Sequence, residues 1–251
     1  MPSPACRPLG ADSATLTVNE DAPAPHNMLT SALSGSGIAD VTLTPASHNF
    51  GNVAINTPSS AQTFTLRNNE LATLSISGIS VTSSHASDFA QTGGTCGATL
   101  AGQSSCTIIV TLTPTALGAE TGSLTVTDSA PSPYDTLTSS LSGTGVAQAS
   151  VSPTSLTFSK QSVSTTSAAQ TVTLRNNLLT TLTISSLTFN GADPNDFAQT
   201  NTCGGGPAAQ STCTISVTFK PTATGTRTAT LNVNDSANNS PQTVSLTGTG
   251  K

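Results

Sequence analysis

The chain of 251 residues carries little charge: 8% of its residues are charged, with seven Lys and Arg against twelve Asp and Glu, whereas an ordinary soluble domain has roughly 25%. So few basic residues form no basic patch, which argues against nucleic acid as a partner, and no apolar run approaches the roughly 18 to 20 residues that span a bilayer. Because 35% of the residues are apolar and the net charge is only −5, the chain can bury a core rather than remain disordered.

The first 37 residues resemble the end of a repeated unit. Leu29–Gly37 matches Leu137–Gly145, so the segment is predicted to supply only the last two strands of a module. Its apolar face would consist of Leu16, Val18, Leu29 and Leu33. No charged and apolar leader typical of a signal peptide is recognisable. Either the chain is a piece of a longer repeat array, or this partial module has a purpose of its own.

Two full copies follow the partial one. Asp88–Thr92 reappears as Asp196–Thr200, at an offset of 108. Self-similarity at a fixed offset is typical of repeated structural units. The sequence therefore predicts a partial module over 1–37, a first module over 38–145 and a second module over 146–251.

Each module is predicted to consist of β-strands. Apolar residues alternate with Thr, Ser, Ile or Lys in matching segments of the two copies: Cys106, Ile108, Val110, Leu112 and Cys213, Ile215, Val217, Phe219. A period of two indicates a strand with one buried face. About seven such runs per copy, separated by Gly, Pro, Asn and Asp, predict an all-β fold of tandem β-sandwiches.

The cysteines predict two disulfides. Cys96 and Cys106 have the same separation as Cys203 and Cys213, at the same place in each copy. A bond closing that loop would stabilise each module by roughly 3 kcal/mol. Paired structural disulfides indicate an oxidising compartment. Cys6 has no counterpart, and we expect it to be free or to bridge to another chain.

No metal or other cofactor is expected. The histidines, His26, His48 and His85, do not recur between the copies, and a zinc site needs several ligands together. Asp193 and Asp196 share a loop, so calcium is an alternative there, but turn-capping aspartates are the favoured explanation of the pair. Asp128 and Asp235 head matching Asp-Ser-Ala segments and are predicted to lie in turns.

No enzymatic site is predicted either. The scattered histidines form no pattern with a nucleophile, and no Gly-x-Ser-x-Gly segment is present. Arg67 and Arg175 each precede an Asn-Asn pair and are expected to pair locally at a strand end.

These features together resemble the Hydin-like, or ASH-type, immunoglobulin-fold modules of bacterial secreted choice-of-anchor proteins. The residues of the second copy that carry the resemblance are Pro153, Asn177, Asp196, Phe197, Cys203, Cys213, Pro221, Asp235, Gly248 and Gly250. The resemblance implies immunoglobulin-like sandwiches and supplies no catalytic residue. Such modules serve as spacers, adhesin stalks and assembly parts, so the resemblance says little about function.

Two functions compete at this point. The first is an extracellular or cell-surface structural protein, a rod, stalk or self-assembling filament subunit, since low charge favours self-association. The partial module would then complete a sheet of a neighbouring subunit, with docking on its own chain as an alternative. The second is an accessory module of a larger secreted adhesin or enzyme that binds a cell-surface protein or glycan. Sugar platforms usually display aromatics, and one Tyr and seven Phe leave few for that role.

Overall fold

A computed structural model describes residues 10–19, 21, 28–85 and 87–251. Within them the fold is all-β, as predicted, and the helical element described is a 3₁₀ turn at Pro194–Asp196. None of the described helical residues form a segment long and apolar enough to cross a membrane. The first two strands, β1 (Gly10–Asn19) and β2 (Met28–Gly37), form a separate antiparallel hairpin.

The first module forms two sheets. Its strands are β3 (Val41–Thr44), β4 (Ser47–Ala54), β5 (Gln62–Asn68), β6 (Leu74–Ser83), β7 (Phe89–Gly94), β8 (Thr99–Leu100), β9 (Ser105–Leu112), β10 (Gly118–Asp128) and β11 (Thr136–Val146). One sheet has the order β3-β5-β9-β7 and the other has the order β4-β11-β10-β6-β8. All pairs are antiparallel except β4 with β11, which is parallel.

The second module repeats this plan. Its strands are β12 (Ala149–Ser152), β13 (Ser155–Thr157), β14 (Gln170–Asn176), β15 (Ile184–Asn190), β16 (Phe197–Asn201), β17 (Thr212–Phe219), β18 (Gly225–Asp235) and β19 (Gln242–Gly250). The sheets have the orders β12-β14-β17-β16 and β13-β19-β18-β15. Both modules are immunoglobulin-like β-sandwiches, with the first strand divided between the two sheets.

Prolines explain why more strands are present than the seven predicted. The first strand of each module breaks at Pro45 or Pro153 and continues in the opposite sheet. Proline has no N–H to donate to a strand ladder, so pairing with one neighbour ends and the chain can cross to the other sheet. Counting the divided strand once leaves seven strands in the second module, while the first module also has the two-residue strand β8.

Each sandwich has its own core. In β9 and β17 the residues predicted to face inward are all buried, in the alternation expected of a half-buried strand. The first core gathers around residues such as Phe64, Leu66 and Leu124, and the second packs Phe158, Phe197 and Phe219 with ring centroids 5.1–6.0 Å apart. The two clusters lie inside the predicted modules 38–145 and 146–251. Whether those boundaries delimit independent folding units stays a prediction.

Candidate functional site

The hairpin β1–β2 has the same register as the last hairpin of the first module. Val18 lies opposite Leu29 in the hairpin, and Val126 lies opposite Leu137 in β10–β11. The residues of both strands are related by the same shift of 108. The hairpin therefore has the form of the two closing strands of a sandwich, as the sequence predicted.

The apolar face of this hairpin is not covered by the described part of the chain. Leu16 is 53% exposed and Leu29 is 54% exposed, whereas Leu124, the counterpart of Leu16, is fully buried. Val18 and Leu33 are exposed in the same way. These side chains thus make no covering contact with the first full module in the described part of the chain, and docking of the hairpin on its own chain stays an alternative.

The edges of the hairpin also differ from those in the module. In the first module β10 is flanked by β6 and β11 is flanked by β4, so both strands are paired on both sides. Among the described residues, β1 and β2 pair only with each other. Their outer edges thus present backbone N–H and C=O groups to another strand.

The predicted cysteine pairs are bonded in the structure. Cys96 joins Cys106 and Cys203 joins Cys213, each across a sequence separation of ten residues. The second cysteine of each pair lies at the start of the central strands β9 and β17, and the first lies in the loop before them. Two structural disulfides indicate an oxidising environment. Cys6 lies outside the described residues.

The arginines that precede the Asn-Asn pairs make local contacts. Arg67 Nε donates to Asn69 Oδ1 at 2.9 Å, and Arg175 Nε donates to Asn177 Oδ1 at 2.8 Å. Neighbouring Asn176 is fully buried, and its side-chain amide donates to three backbone carbonyls. Asn68 makes the equivalent contacts in the first module. The sequence analysis used these asparagines only to place the arginines and did not predict their role in the interior.

Asp193 and Asp196 form ion pairs with an arginine of the neighbouring strand β18. Arg227, the third residue of β18, lies 2.6 Å from a carboxylate oxygen of each aspartate. Burial raises the pKa of the Asp196 carboxyl, but hydrogen bonds from Arg227 and Thr222 outweigh it and lower the pKa below its usual value. The guanidinium of Arg227 thus occupies the position between the two acids where the calcium alternative would put the ion.

The equivalent place in the first module has a different set of charges. The third residue of β10 is Glu120, and the loop residues are His85 and Asp88, so an acid stands where the second module has Arg227. His85 Nδ1 lies 2.8 Å from Glu120 Oε2, and the hydrogen bond to this carboxylate raises the pKa of His85. His85 stands at the sequence position of Asp193, and the sequence analysis did not pair Glu120 with Arg227.

Of the remaining predicted residues, Asp128, Asp235 and His48 make local contacts. Asp128 and Asp235 accept hydrogen bonds from the backbone N–H groups of Ala130 and Ala237, which confirms their place in turns. The ring of His48 contacts Phe50 edge-on, with centroids 4.6 Å apart. His26 lies outside the described residues.

A cavity of about 350 Å³ lies where the two modules meet. Its lining includes His48 and Phe50 from the first module and Asn177, Leu179 and Gln210 from the second. The ring of Phe50 and exposed polar side chains such as Asn52 share this surface, and these are the two kinds of group that line small-molecule sites.

Comparison with known proteins identifies no family. No protein-family model matches the sequence, and no curated protein matches it. Solved structures with a similar fold include the ASH / PapD-like domain 7 of human CEP192, at 17% identity over 43% of this chain and 86% of that one, with a TM-score of 0.32. The cadherin-like domains 1 to 4 of zebrafish RET match at 9% identity over 96% of this chain and 58% of that one (TM-score 0.33). The YadV chaperone matches at 10% identity over 83% of this chain and all of that one (TM-score 0.31).

Proposed function

We propose that this chain is an extracellular structural protein, a rod, stalk or filament subunit of immunoglobulin-like repeats that assembles through its β1–β2 hairpin. The observation that carries the proposal is the exposed apolar face of that hairpin. Leu16, Val18, Leu29 and Leu33 have the strand positions of core residues but lack a core. Burying them against a second copy of the chain would supply the missing contacts.

The free edges of the hairpin indicate how two copies would join. The counterparts of β1 and β2 in the first module each pair with a further strand, so each hairpin strand can accept one more. In the second module β15 is an edge strand, paired by β18 on one side only. Addition of β1 to such an edge of a neighbouring copy is a head-to-tail contact, and contacts of this kind build filaments when the rotation does not close a ring.

The chemistry of the chain fits an assembly outside the cytoplasm. Both disulfides lie in the modules rather than in the hairpin, so oxidation stabilises the modules and leaves the hairpin free to pair. Sparse charge produces little repulsion between copies. We therefore place the assembled protein at the cell surface or in the extracellular space.

The test is removal of residues 1–37. The full chain should form concentration-dependent oligomers by light scattering and filaments by electron microscopy, and the truncated chain should stay monomeric. The double variant Leu16→Thr, Leu29→Thr keeps strand propensity and removes apolar surface, so it should weaken assembly. Its control, Thr17→Ser with Thr30→Ser on the opposite face, should assemble normally. A monomeric full chain, or identical filaments from the truncated chain, would contradict the proposal.

The cavity between the modules supports a second candidate, a glycan- or protein-binding accessory module. Phe50 would stack against a sugar face, while polar side chains of the lining such as the exposed Asn52 would bond to hydroxyl groups. A glycan array probed with the full chain tests it. Binding that is lost in Phe50→Ala, with assembly unaffected, would favour this candidate.

A further inference from the structure

The two modules place different charges beside the equivalent buried aspartates, Asp88 and Asp196. In the second module two acids of the loop before β16 flank the positive Arg227 of β18. In the first module the strand position holds Glu120, and the loop holds His85 and Asp88. The first module therefore has a carboxylate, that of Glu120, at the position where the second module has the positive charge of Arg227.

The buried aspartate is held by the same donors in the two modules. The backbone N–H and hydroxyl of Thr115 donate to Asp88, as those of Thr222 donate to Asp196. Both aspartates are buried, at 1% and 2% exposure. The two modules therefore hold the buried aspartate alike but place a different charge opposite it.

Only one of the two carboxylate oxygens of Glu120 has a hydrogen-bond partner among the described residues. Its side chain is fully buried, and Oε2 accepts from the Ser84 hydroxyl at 3.2 Å and lies 2.8 Å from His85 Nδ1. Oε1 is buried and has no hydrogen-bond partner among the residues that the structure describes. A buried carboxylate oxygen without a partner is costly, and here it belongs to the residue that replaces an arginine.

From this arrangement we infer that His85, Asp88 and Glu120 form a zinc site in the first module. One ligand atom from each residue lies within 4.8 Å of the others. Ligand atoms on a tetrahedral zinc are about 2.0–2.2 Å from the metal. Small side-chain rotations would therefore bring the three ligand atoms to these distances from one ion. The side chain of His85 is half exposed, which leaves it free to rotate and gives the ion an entry path.

The three ligand side chains favour zinc over calcium. One imidazole and two carboxylates suit zinc with a water in the fourth position. Calcium prefers six to eight oxygen ligands, which these residues do not supply. The zinc ion would place positive charge between Asp88 and Glu120, where the second module has the guanidinium between Asp193 and Asp196.

Zinc binding to the full chain, freed of metal by a chelator, tests the inference. Calorimetric titration with ZnCl₂ should show one site per chain, and saturating zinc should raise the unfolding midpoint of the first module by about 5 °C. Glu120→Gln should weaken the affinity at least about tenfold. Calcium chloride should cause no comparable shift.

A matched variant distinguishes this site from adventitious binding. The double substitution His85→Asp, Glu120→Arg rebuilds the arrangement of the second module, so it should fold without zinc and not respond to it. His48→Asn should respond like the parent chain. The inference is overturned if the parent chain binds no zinc, if calcium stabilises it equally, or if the double variant binds as tightly.

Discussion

At the scale of single residues, the two copies show how one exchange alters the chemistry of a shared position. Asp128 and Asp235 occupy equivalent turns of the two modules. In the second module, Gln242 donates to the second carboxylate oxygen of Asp235 at 3.3 Å. Leu137 stands at the matching place in the first module, opposite Val126 as Gln242 is opposite Val233. Asp128 Oδ2 is consequently buried with no hydrogen-bond partner in the described part of the chain.

This difference predicts that Asp128→Asn stabilises the first module at neutral pH. Burial raises the pKa of Asp128, opposed by the hydrogen bond from Ala130 and assisted by the charge of Asp135. A raised pKa in the folded state means that stability is lost as the pH rises from about 4 through that folded value. The amide carries no charge and should avoid this loss, with a gain of about 1 kcal/mol at pH 7.

Urea unfolding between pH 3 and pH 8 measures this effect. Asp235→Asn is the control, because its carboxylate is satisfied by Gln242 and its replacement should bring no gain. Parallel pH profiles for the parent chain and Asp128→Asn would contradict the prediction.

At the scale of elements, each disulfide links a loop to a strand of the core. The strands are β9 and β17, whose alternating residues face inward. The first cysteine of each pair lies in a loop, and the second is a buried residue of a central strand. The bond therefore ties the loop that follows an edge strand, β7 or β16, to the strand beside it. Restricting this loop in the unfolded chain stabilises the folded module.

We predict that replacing Cys203 and Cys213 together by Ala lowers the free energy of unfolding of the second module by roughly 3 kcal/mol. Denaturant unfolding measures the loss, and intact mass with and without reductant checks the two bonds of the parent chain. The same double replacement at Cys96 and Cys106 should affect the first module instead. Native protein in which all four cysteines are freely alkylated would contradict the pairing.

At the scale of the whole molecule, the two cores are separate clusters, and the link between them is short. Gln148, just after β11, donates to the Ile55 carbonyl of the first module and accepts from the Asn238 N–H of the second. These hydrogen bonds orient the modules without merging their interiors. The modules are thus expected to unfold in two steps rather than one.

Calorimetry of two core variants tests this independence. Phe219→Ala should lower the unfolding transition of the second module, with a loss of about 3–5 kcal/mol, and leave the first unchanged. Phe64→Ala should do the reverse, since each ring is fully buried in its own core. Equal shifts of both transitions in either variant would show that the sandwiches unfold as one unit.

Local patterns were enough to predict the all-β class, the inward faces of β9 and β17 and the turn aspartates. Each depends on neighbours within a few residues: side chains of a strand alternate between its faces, and aspartate bonds to the backbone two residues on. The equal spacing of the cysteines in both copies pointed to the pairs that the structure joins. The offset of 108 likewise predicted that β1–β2 has the form of a closing hairpin, because repeated sequence adopts repeated structure.

Only the tertiary structure decided what fills the charged positions. Asp196 meets Arg227 across 31 residues, and His85 meets Glu120 across 35, and no local pattern relates residues so far apart. The same holds for Asn176, whose amide reaches carbonyls 31 and 32 residues away. The uncovered face of the hairpin is likewise a tertiary fact, because Leu16 and Leu124 have the same local sequence pattern and differ only in what packs against them.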